Sequence, residues 1–544
     1  MLKNKIVIIN IVIALVSFAL FVPFLGGVHL FDWDEINFAE SAREMILTGD
    51  YLTVRINFLP FWEKPPLFIW LQVLSMKLFG VNEFAARFPN AICGIVTLMI
   101  LFNIGRKLYN EKFGLIWVMT YGGSILPFLY FKSGIIDPWF NLFIFLGINQ
   151  FIHYYQKKSV LNVILSATFI GLGILTKGPV ALLIFLLTAG IFWILSRFRR
   201  IISIRDAFIF LFMLAFVGGF WFFLQAATGN FSVIADFIAY QLRLFRTQDA
   251  GHGGFFLYHF VVLLIGVFPA SVFALRGFSN IRSENSYQRS YQKWMLILFW
   301  VVLILFTIVK TKIVHYSSLC YFPLTFMAAR LIFHHLQEKS PFPKWIVSGI
   351  LILGSMIAIV IAMMPHLSHF KSQVADSSLI IDDFARSIVM SDVNWQGYES
   401  MTGLLLICGL ILFFVFHKKG KQVQAIVSLF TASLLAIVMT ILMYTSRIEE
   451  YSQGAAIDFF QSVSGKDAYV ETIGYKSYAQ LFYAEKMMPE NSDSYDKNWL
   501  LTGDIDKNVY FSAKITSKNR ILEKYPGLKL LYEKNGYIFL MREK

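Results

Sequence analysis

Acidic residues beside long apolar segments are the first residues in this sequence that could carry chemistry. Asp34-Glu35, Glu63 and Asp137 each stand close to such a segment. A carboxylate near membrane depth is costly, which makes it a candidate functional group. A carboxylate of this kind can accept the proton of an attacking hydroxyl group. Asp34 is also predicted near a helix N-terminus, where the helix dipole favours the ionised form.

Each of these carboxylates also has a plain structural explanation. Asp34, or Asp32 just before it, could simply cap a helix. Glu63 and Lys64 could form an ordinary solvated ion pair, and Asp137 could cap the helix that follows it. The membrane topology described below nevertheless predicts all of them on one face, which favours a shared site.

Basic residues on the predicted outer face form the second group of candidates, because outer loops of membrane proteins are usually poor in Lys and Arg. A phosphate group would account for them, since both side chains bind it through charge-assisted hydrogen bonds. The alternative is snorkelling to lipid headgroups, which suits Lys177 and Lys310 best. His252, in a glycine-rich outer loop, is either a surface histidine or a ligand. The outer cations are Lys64, Lys177, Arg243, Arg246, Lys310 and Lys312.

The composition indicates a membrane protein. Of 544 residues, 57% are hydrophobic and 15% are charged, against about 25% charged residues in soluble domains. Apolar runs of about 18 residues or more recur along most of the chain, and each is long enough to cross a bilayer. The net charge of +14 comes from short clusters between these runs, which argues against nucleic acid as a partner.

The apolar runs predict an all-α, polytopic membrane part with about thirteen transmembrane helices. With the N-terminus in the cytoplasm, every predicted inner segment is basic, as expected for cytoplasmic loops. An odd number of spans then places the C-terminus outside the cytoplasmic (inner) membrane. The predicted spans are 6–28, 89–106, 113–131, 138–156, 160–176, 178–196, 207–225, 255–275, 294–310, 314–333, 345–364, 401–417 and 422–445.

The first outer loop, about residues 29–88, is predicted to contain two amphipathic helices. One runs from Asp34 to Leu47 and stops at Gly49, a common residue after a helix C-terminus. The other begins at Pro65-Pro66, where proline is tolerated in the first turn, and ends at Gly80. Both helices are expected to lie along the membrane surface.

The C-terminal segment differs in character from the rest of the chain. Strand-like runs at 468–472, 509–512 and 537–541 alternate with helical ones. We therefore predict a transmembrane domain over residues 1–445 and a small α/β or α+β domain over 446–544 on the outer face.

The first outer loop carries a specific motif. Its segments are Asp34-Glu35-x-x-Phe38-Ala39-Glu40-x-x-Arg43-Glu44-Met45, Gly49-Asp50-Tyr51 and Phe61-Trp62-Glu63-Lys64-Pro65-Pro66. Together they resemble the first loop of GT-C glycosyltransferases, the superfamily of protein O-mannosyltransferases and lipid A aminoarabinose transferases (PMT/ArnT-like). The resemblance covers about residues 5–335. Further matches are Ala85-Ala86-Arg87-Phe88-Pro89, Asp137, Leu175-Thr176-Lys177-Gly178-Pro179, Lys312-x-x-His315-Tyr316 and Pro323.

The resemblance implies an inverting transfer of a sugar from a polyprenyl-phosphate donor to a lipid (lipid A-like), protein or envelope-glycan acceptor. It assigns Asp34 as the general base, with Glu35 beside it and Asp137 as a second acidic position. It also implies that Glu63 and His252 can hold a divalent metal ion. The donor-phosphate contacts that it implies are Lys64, Arg243, Arg246, Lys312 and Tyr316.

Some positions depart from the aminoarabinose transferases. Asn37 stands where those enzymes usually carry arginine, Phe38 where they carry tyrosine, and Val314 where proline is common. These differences argue for a bacterial member with another sugar or acceptor.

Two other classes of protein compete with an enzyme. A transporter or flippase of lipid-linked sugars would suit the many spans, but transporters tend to place charged residues near the midplane, in broken helices. A scaffold that displays the C-terminal domain would leave Asp34, Glu63 and Asp137 unexplained.

Overall fold

The computed structural model describes residues 2–246, 254–279, 281, 284–377, 380 and 382–544. Most of the chain before the C-terminal domain is helical. The helices of this part outside the first loop are Leu2–Phe21, Glu83–Leu108, Glu111–Gly122, Ile125–Tyr130, Asp137–Lys157, Val160–Lys177, Val180–Leu195, Ile204–Gly218, Phe220–Ala227, Phe231–Arg246, Tyr258–Gly266, Ala270–Gly277, Ser286–Ile308, Tyr321–Glu338, Lys344–Met363, Lys371–Ala375, Asp383–Val389, Met401–Lys418 and Gln422–Ser452, with 3₁₀ turns at Val314–Cys320, Met364–Phe370 and Tyr398–Ser400.

The protein is a multi-pass membrane protein. Within the described residues, 8 helices are long and apolar enough to span a membrane, or 10 if each of two bent helix pairs is one span. The predicted count of about thirteen is not confirmed. The other predicted spans are helical but interrupted, shorter or less apolar; they are Glu111–Gly122 with Ile125–Tyr130, Asp137–Lys157 and Val180–Leu195.

Two helices pack closely next to each other near Lys177, one of the candidate cations. A Cβ atom added to Gly171 would lie 2.9 Å from the Gly218 backbone nitrogen. The helices Val160–Lys177 and Ile204–Gly218 therefore approach closely because neither residue carries a side chain there. This contact helps to fix the helix that ends at Lys177.

The first loop forms both predicted helices, Asp34–Thr48 and Leu67–Phe79, with a short hairpin between them at Arg55–Ile56 and Leu59–Pro60. The first helix, called here the Asp34 helix, ends at Gly49, whose φ of 69° is left-handed, as predicted. All but the ends of this helix are buried in protein.

A shared hydrophobic core explains that burial. Phe38 of the Asp34 helix and Ile69 of the second loop helix belong to the same buried cluster as Phe460 and Phe482. The latter two belong to residues 446–544, called here the C-terminal region. Removing apolar side chains from water stabilises such a contact by about 25 cal/mol per Å². The C-terminal region therefore packs directly on the loop that carries the candidate base.

The C-terminal domain contains a four-stranded sheet, with strands ordered Ala468–Ile473, Asn508–Lys514, Tyr537–Arg542 and Lys529–Lys534. The first two strands are parallel and the other neighbours are antiparallel, which agrees with the predicted mixed domain. The strand at 529–534 was not predicted, because this edge strand is mostly exposed and lacks apolar alternation. The predicted boundary at 445/446 falls within the helix Gln422–Ser452. The accompanying helices are Gly454–Val463, Ala479–Tyr483, Lys497–Thr502 and Lys518–Lys524, with 3₁₀ turns at Ser492–Tyr495 and Ile515–Ser517.

Candidate active site

A cavity of about 630 Å³ opens at the N-terminal end of the Asp34 helix. Several helix ends converge there, and the helix Gln422–Ser452 forms part of the wall. Most of the candidates chosen from sequence come together in this cavity. Its charged and polar lining includes Asp34, Glu35, Glu63, Lys64, Asp137, Lys177, Tyr240, His315 and Tyr316.

A histidine lies between the two outer aspartates. His315 Nε2 is 3.5 Å from Asp34 Oδ2 and 3.9 Å from Asp137 Oδ2. The Asp34 side chain is 35% exposed, whereas that of Asp137 is 3% exposed. Asp34 can therefore meet a substrate in the cavity, while Asp137 can act only through the groups packed on it.

Helix capping does not account for either aspartate. Trp33 is the N-cap residue of the Asp34 helix, and no side chain makes a capping hydrogen bond there. Ile136 occupies the same position before Asp137, again without a side-chain cap. Neither carboxylate is therefore used to cap the start of a helix.

Lys177 lies inside the cavity, which corrects its interpretation as a snorkelling residue. Its Nζ atom is 2.7 Å from Asp137 Oδ1, and the side chain is only 15% exposed. The ammonium group also lies 5.2 Å from the centre of the Tyr316 ring, within the range of cation–π attraction. Tyr316 therefore lies beside a cation in the cavity.

Lys64 is the second cation of the cavity. Burial lowers the pKa of its ammonium group, and Lys177 adds to this effect, while Glu63 and the two aspartates oppose it. Its Nζ atom lies 5.3 Å from the centre of the Tyr240 ring. The Tyr240 hydroxyl donates a hydrogen bond of 2.9 Å to Glu63 Oε2. The solvated Glu63–Lys64 pair considered above therefore does not describe these residues.

Glu35 is a structural residue, although it was predicted with the catalytic group. Arg87 binds both of its carboxylate oxygens, at 3.0 and 2.8 Å, and both residues are buried. The Phe31 and Gly134 backbone N–H groups also donate to it. Burial acts to raise the pKa of Glu35, but these partners outweigh it and hold the pKa below its usual range. Glu35 therefore fixes the loop and has little capacity to accept a proton.

Lys312 does not reach the cavity as predicted. Its ammonium group donates to the carbonyl oxygens of Phe306, Thr307 and Val309, at 3.0, 2.6 and 2.7 Å. These are carbonyls at the end of the helix Ser286–Ile308, which need such partners. Lys312 is therefore a helix cap and not a donor-phosphate ligand.

The remaining predicted cations and ligands are only partly described. Arg243 is exposed, with its guanidinium group 5.1 Å from the centre of the Tyr240 ring that lines the cavity. Arg246 ends the helix Phe231–Arg246, but its side chain lies outside the described part of the structure. His252 also lies outside the described residues.

The described residues do not by themselves form a metal site. No group of three or more His, Cys, Asp or Glu side chains in that part of the chain could hold a metal ion. Glu63 contributes a single carboxylate, and Tyr240 already binds one of its oxygens.

A narrow apolar extension leaves the cavity beside the cations. It shares Lys64, Asp137, Lys177 and Tyr316 with the cavity and has a volume of about 80 Å³. Beyond these residues its wall is hydrophobic and consists of Phe140, Val180, Leu305, Phe306 and Val309, with Thr311. Cations at the mouth of an apolar groove are suited to a lipid with an anionic head.

Sequence reasoning underestimated His315. The residue was noted only as part of Lys312-x-x-His315-Tyr316, without a role of its own. The signal was available, because a histidine at the predicted outer end of a span stands on the same face as Asp34 and Asp137.

Comparison with known proteins supports the family resemblance. Residues 63–222 match the family model for dolichyl-phosphate-mannose-protein mannosyltransferase. The chain is 25% identical over 345 residues to the undecaprenyl phosphate-alpha-4-amino-4-deoxy-L-arabinose arabinosyl transferase of Wigglesworthia glossinidia brevipalpis, which covers 61% of this chain and 60% of the relative. It is 26% identical over 347 residues to the protein of the same name from Pectobacterium carotovorum, with the same coverage. The chain thus spans about 60% of these curated relatives.

Solved structures match over almost the whole chain. The structure of ArnT from Cupriavidus metallidurans bound to undecaprenyl phosphate aligns with a TM-score of 0.72 and 16% identity, over 98% of this chain and 97% of that one. The apo structure of the same protein aligns with a TM-score of 0.74 and 15% identity, over 99% and 98%. These matches confirm the predicted fold, including its C-terminal domain.

Proposed function

We propose that this protein, a PMT/ArnT-like member of the GT-C glycosyltransferases, transfers a sugar from a polyprenyl-phosphate donor to an acceptor at the membrane surface. The observation that carries the proposal is the arrangement of one cavity. Asp34 is open to it, and Lys64 and Lys177 line the same wall, at the mouth of an apolar extension. A base and two cations are the groups that this reaction needs.

The reaction can be written on these residues. An acceptor hydroxyl attacks the anomeric carbon of the donor sugar and gives its proton to Asp34. The new glycosidic bond forms as the bond between the anomeric carbon and the phosphate oxygen breaks, so the configuration inverts. The released polyprenyl phosphate gains negative charge, which Lys64 and Lys177 stabilise. Asp137 holds the Lys177 ammonium group in place.

The apolar extension supports a lipid-linked donor over a nucleotide-linked one. Its hydrophobic wall begins next to Lys64, Lys177 and Tyr316. A polyprenyl chain can lie there while its phosphate stays beside the cations, because apolar contact favours the chain and charge favours the head. Following the resemblance, we also assign Arg243 and Arg246 to the same phosphate.

The acceptor proposed first is a membrane lipid with a free hydroxyl or phosphate group, as the resemblance to lipid A aminoarabinose transferases implies. Asn37 and Phe38 line the cavity at the positions where aminoarabinose transferases usually carry arginine and tyrosine. We therefore propose a sugar or acceptor different from theirs. A protein or an envelope glycan is the alternative acceptor.

We propose separately that Glu63 and His252 hold a divalent metal ion. The transfer reaction as written does not require it. If it is present, removal by a chelator should lower turnover and added Mg²⁺ or Mn²⁺ should restore it. Glu63→Gln should then weaken metal binding measured by calorimetry. Full activity in chelator would refute the proposed metal site and leave the proposed phosphate site unaffected.

A transfer assay tests the proposed function directly. Purified protein in detergent is incubated with polyprenyl-phosphate-linked sugars, and lipid extracts from the same cells serve as acceptors. Mass spectrometry should detect free polyprenyl phosphate and a glycosylated lipid. A transporter or flippase would instead leave the donor bond intact, and that outcome would refute the enzymatic proposal. Comparison of lipids and envelope proteins from a deletion strain then identifies the acceptor.

A further inference from the structure

Residues 29–33, called here the approach segment, lead into the Asp34 helix without forming regular hydrogen-bonded structure. Side chains bind 4 consecutive backbone N–H groups in this segment. Those of His29, Leu30 and Asp32 are bound by Glu449, Tyr483 and Gln453, and that of Phe31 is bound by Glu35. Three of the four partners belong to the C-terminal region.

Gln453 makes the closest connection to the candidate base. Its Oε1 atom accepts a hydrogen bond from the Asp32 backbone N–H at 3.0 Å, and its Nε2 atom donates to the Leu30 carbonyl oxygen at 2.7 Å. A single side-chain amide therefore pairs with the backbone on both sides of Phe31, in the way that a neighbouring strand would. This fixes the chain two residues before Asp34.

Other C-terminal groups hold the side chains of the same segment. The Trp33 ring packs edge-on against Tyr478, with centroids 5.2 Å apart, and the Lys476 ammonium group lies 4.6 Å from the centre of the Trp33 ring. Because the segment has no hydrogen-bonded ladder of its own, these contacts help to determine its conformation, together with the hydrogen bonds that Arg87 and Glu35 make to its backbone.

We propose that Gln453 is a positioning residue, which fixes the approach segment so that the Asp34 carboxylate is held against His315 and faces the donor. This inference rests on the proposed function. It assigns a role in the chemical step to the C-terminal region. The cations Lys64 and Lys177 stand on other elements, so their placement does not depend on Gln453.

Because Gln453 is proposed to position Asp34 and not the cations, a change at Gln453 should affect kcat more than the KM for donor. Gln453→Leu removes both hydrogen bonds while it keeps a side chain of similar size. A misplacement of about 1 Å can reduce turnover by about a hundredfold, so kcat should fall about ten- to a hundredfold while the KM for donor changes by less than about twofold. Hydrogen exchange of the 29–33 amides should become faster. Tyr483→Phe removes the acceptor for the Leu30 N–H, so it should also lower kcat and make this amide exchange faster.

Gln461→Leu is the matched control. Gln461 is exposed, and its side-chain hydrogen bond is to the His29 ring, with its Nε2 atom 3.2 Å from His29 Nε2, and not to the backbone of the approach segment. This variant should keep wild-type kcat and amide exchange.

The outcomes separate the two proposals. Wild-type protein that transfers no sugar from any polyprenyl-phosphate donor would refute the proposed function and this role with it. Active wild-type protein with an equally active, folded Gln453→Leu variant would refute the positioning role alone. A parallel loss of kcat, donor affinity and melting temperature would also refute it, since that pattern reports general destabilisation. If Gln453→Leu does not fold, the kcat and KM of Tyr483→Phe decide by the same criteria.

Discussion

The His315 Nε2 atom lies 3.5 Å from the Asp34 Oδ2 atom, and the same nitrogen is 3.9 Å from Asp137 Oδ2. One imidazole ring thus links the carboxylate that is open to the cavity with the one that holds Lys177. The proposed base and Lys177, one of the two cations proposed to bind phosphate, are thereby connected through a single side chain. We therefore expect the position of His315 to affect both parts of the proposed reaction.

His315→Gln should lower kcat about ten- to a hundredfold, on the scale of about 1.5–3 kcal/mol for a contact with a charged group. The reason is that Asp34 and Asp137 lose the ring between them. His334→Gln is the control. His334 lies near the C-terminal end of the helix Tyr321–Glu338, which follows the 3₁₀ turn that contains His315, and it pairs with Glu338. Steady-state kinetics with lipid-linked donor measure both. Equal rates in the two variants would refute a role of His315 in the reaction.

Lys64→Ala and Lys177→Ala should each reduce kcat/KM for the donor about ten- to a hundredfold, since each removes one charge-assisted contact worth about 1.5–3 kcal/mol. Lys310→Ala serves as the matched control, because Lys310 is exposed and does not line the cavity. The structure thus argues against the alternative that Lys177 snorkels to lipid headgroups. Small and equal effects at all three lysines would contradict a phosphate site here.

The pH dependence should report on Lys64 in particular. Its pKa lies below the ordinary lysine value of 10.5, chiefly because of burial. The charge needed for donor binding is present below that lowered pKa and is lost as the pH rises through it. Donor kcat/KM should therefore decline in the alkaline range earlier than an exposed lysine would cause. In Lys64→Arg the decline should move to higher pH, because a guanidinium group stays charged.

Lys312→Met should act on stability and leave donor recognition unchanged. The variant loses three hydrogen bonds to helix-end carbonyls, and an unsatisfied buried polar group costs about 1–3 kcal/mol. Its melting temperature in detergent should fall, while the KM for donor should match that of Lys310→Met. A large rise in KM without a change in melting temperature would restore Lys312 as a phosphate ligand.

A topology measurement tests the orientation that places the cavity outside the cytoplasm. Alkaline phosphatase fused after Lys544 should be active, and a fluorescent protein fused there should be dark. The reverse is expected for fusions after Lys158, between the helices Asp137–Lys157 and Val160–Lys177, because this loop is predicted to be cytoplasmic. A fluorescent C-terminal fusion would overturn the orientation and the assignment to the outer face.

The helices could be predicted from the sequence because their signals are local. Pro65-Pro66, Gly49 and Gly80 delimit the two loop helices, and the structure places their ends within a few residues of those signals. The number of spans was less predictable. The bent pair Tyr258–Gly266 and Ala270–Gly277 turns by 113°, and hydropathy does not record such a turn.

The direction of individual side chains could not be predicted in the same way. Asp34 and Glu35 are neighbours, but successive helical residues point about 100° apart, so one faces the cavity and the other binds Arg87. Lys177 and Lys312 were likewise both predicted at the outer end of a span. Only the packing around each decides that Lys177 meets Asp137 and that Lys312 caps a helix.

The role of Asp34 as the base is the central claim, and Asp34→Asn tests it most directly. The substitution keeps the size of the side chain but removes its capacity to take a proton, and general-base catalysis contributes about 10²–10⁴ in rate. Single-turnover transfer from a polyprenyl-phosphate-linked sugar should therefore fall by at least about a hundredfold, with donor affinity and melting temperature unchanged. Asp236→Asn, at an exposed residue of the helix Phe231–Arg246, should behave as wild type. Near-normal turnover by folded Asp34→Asn protein would contradict the account.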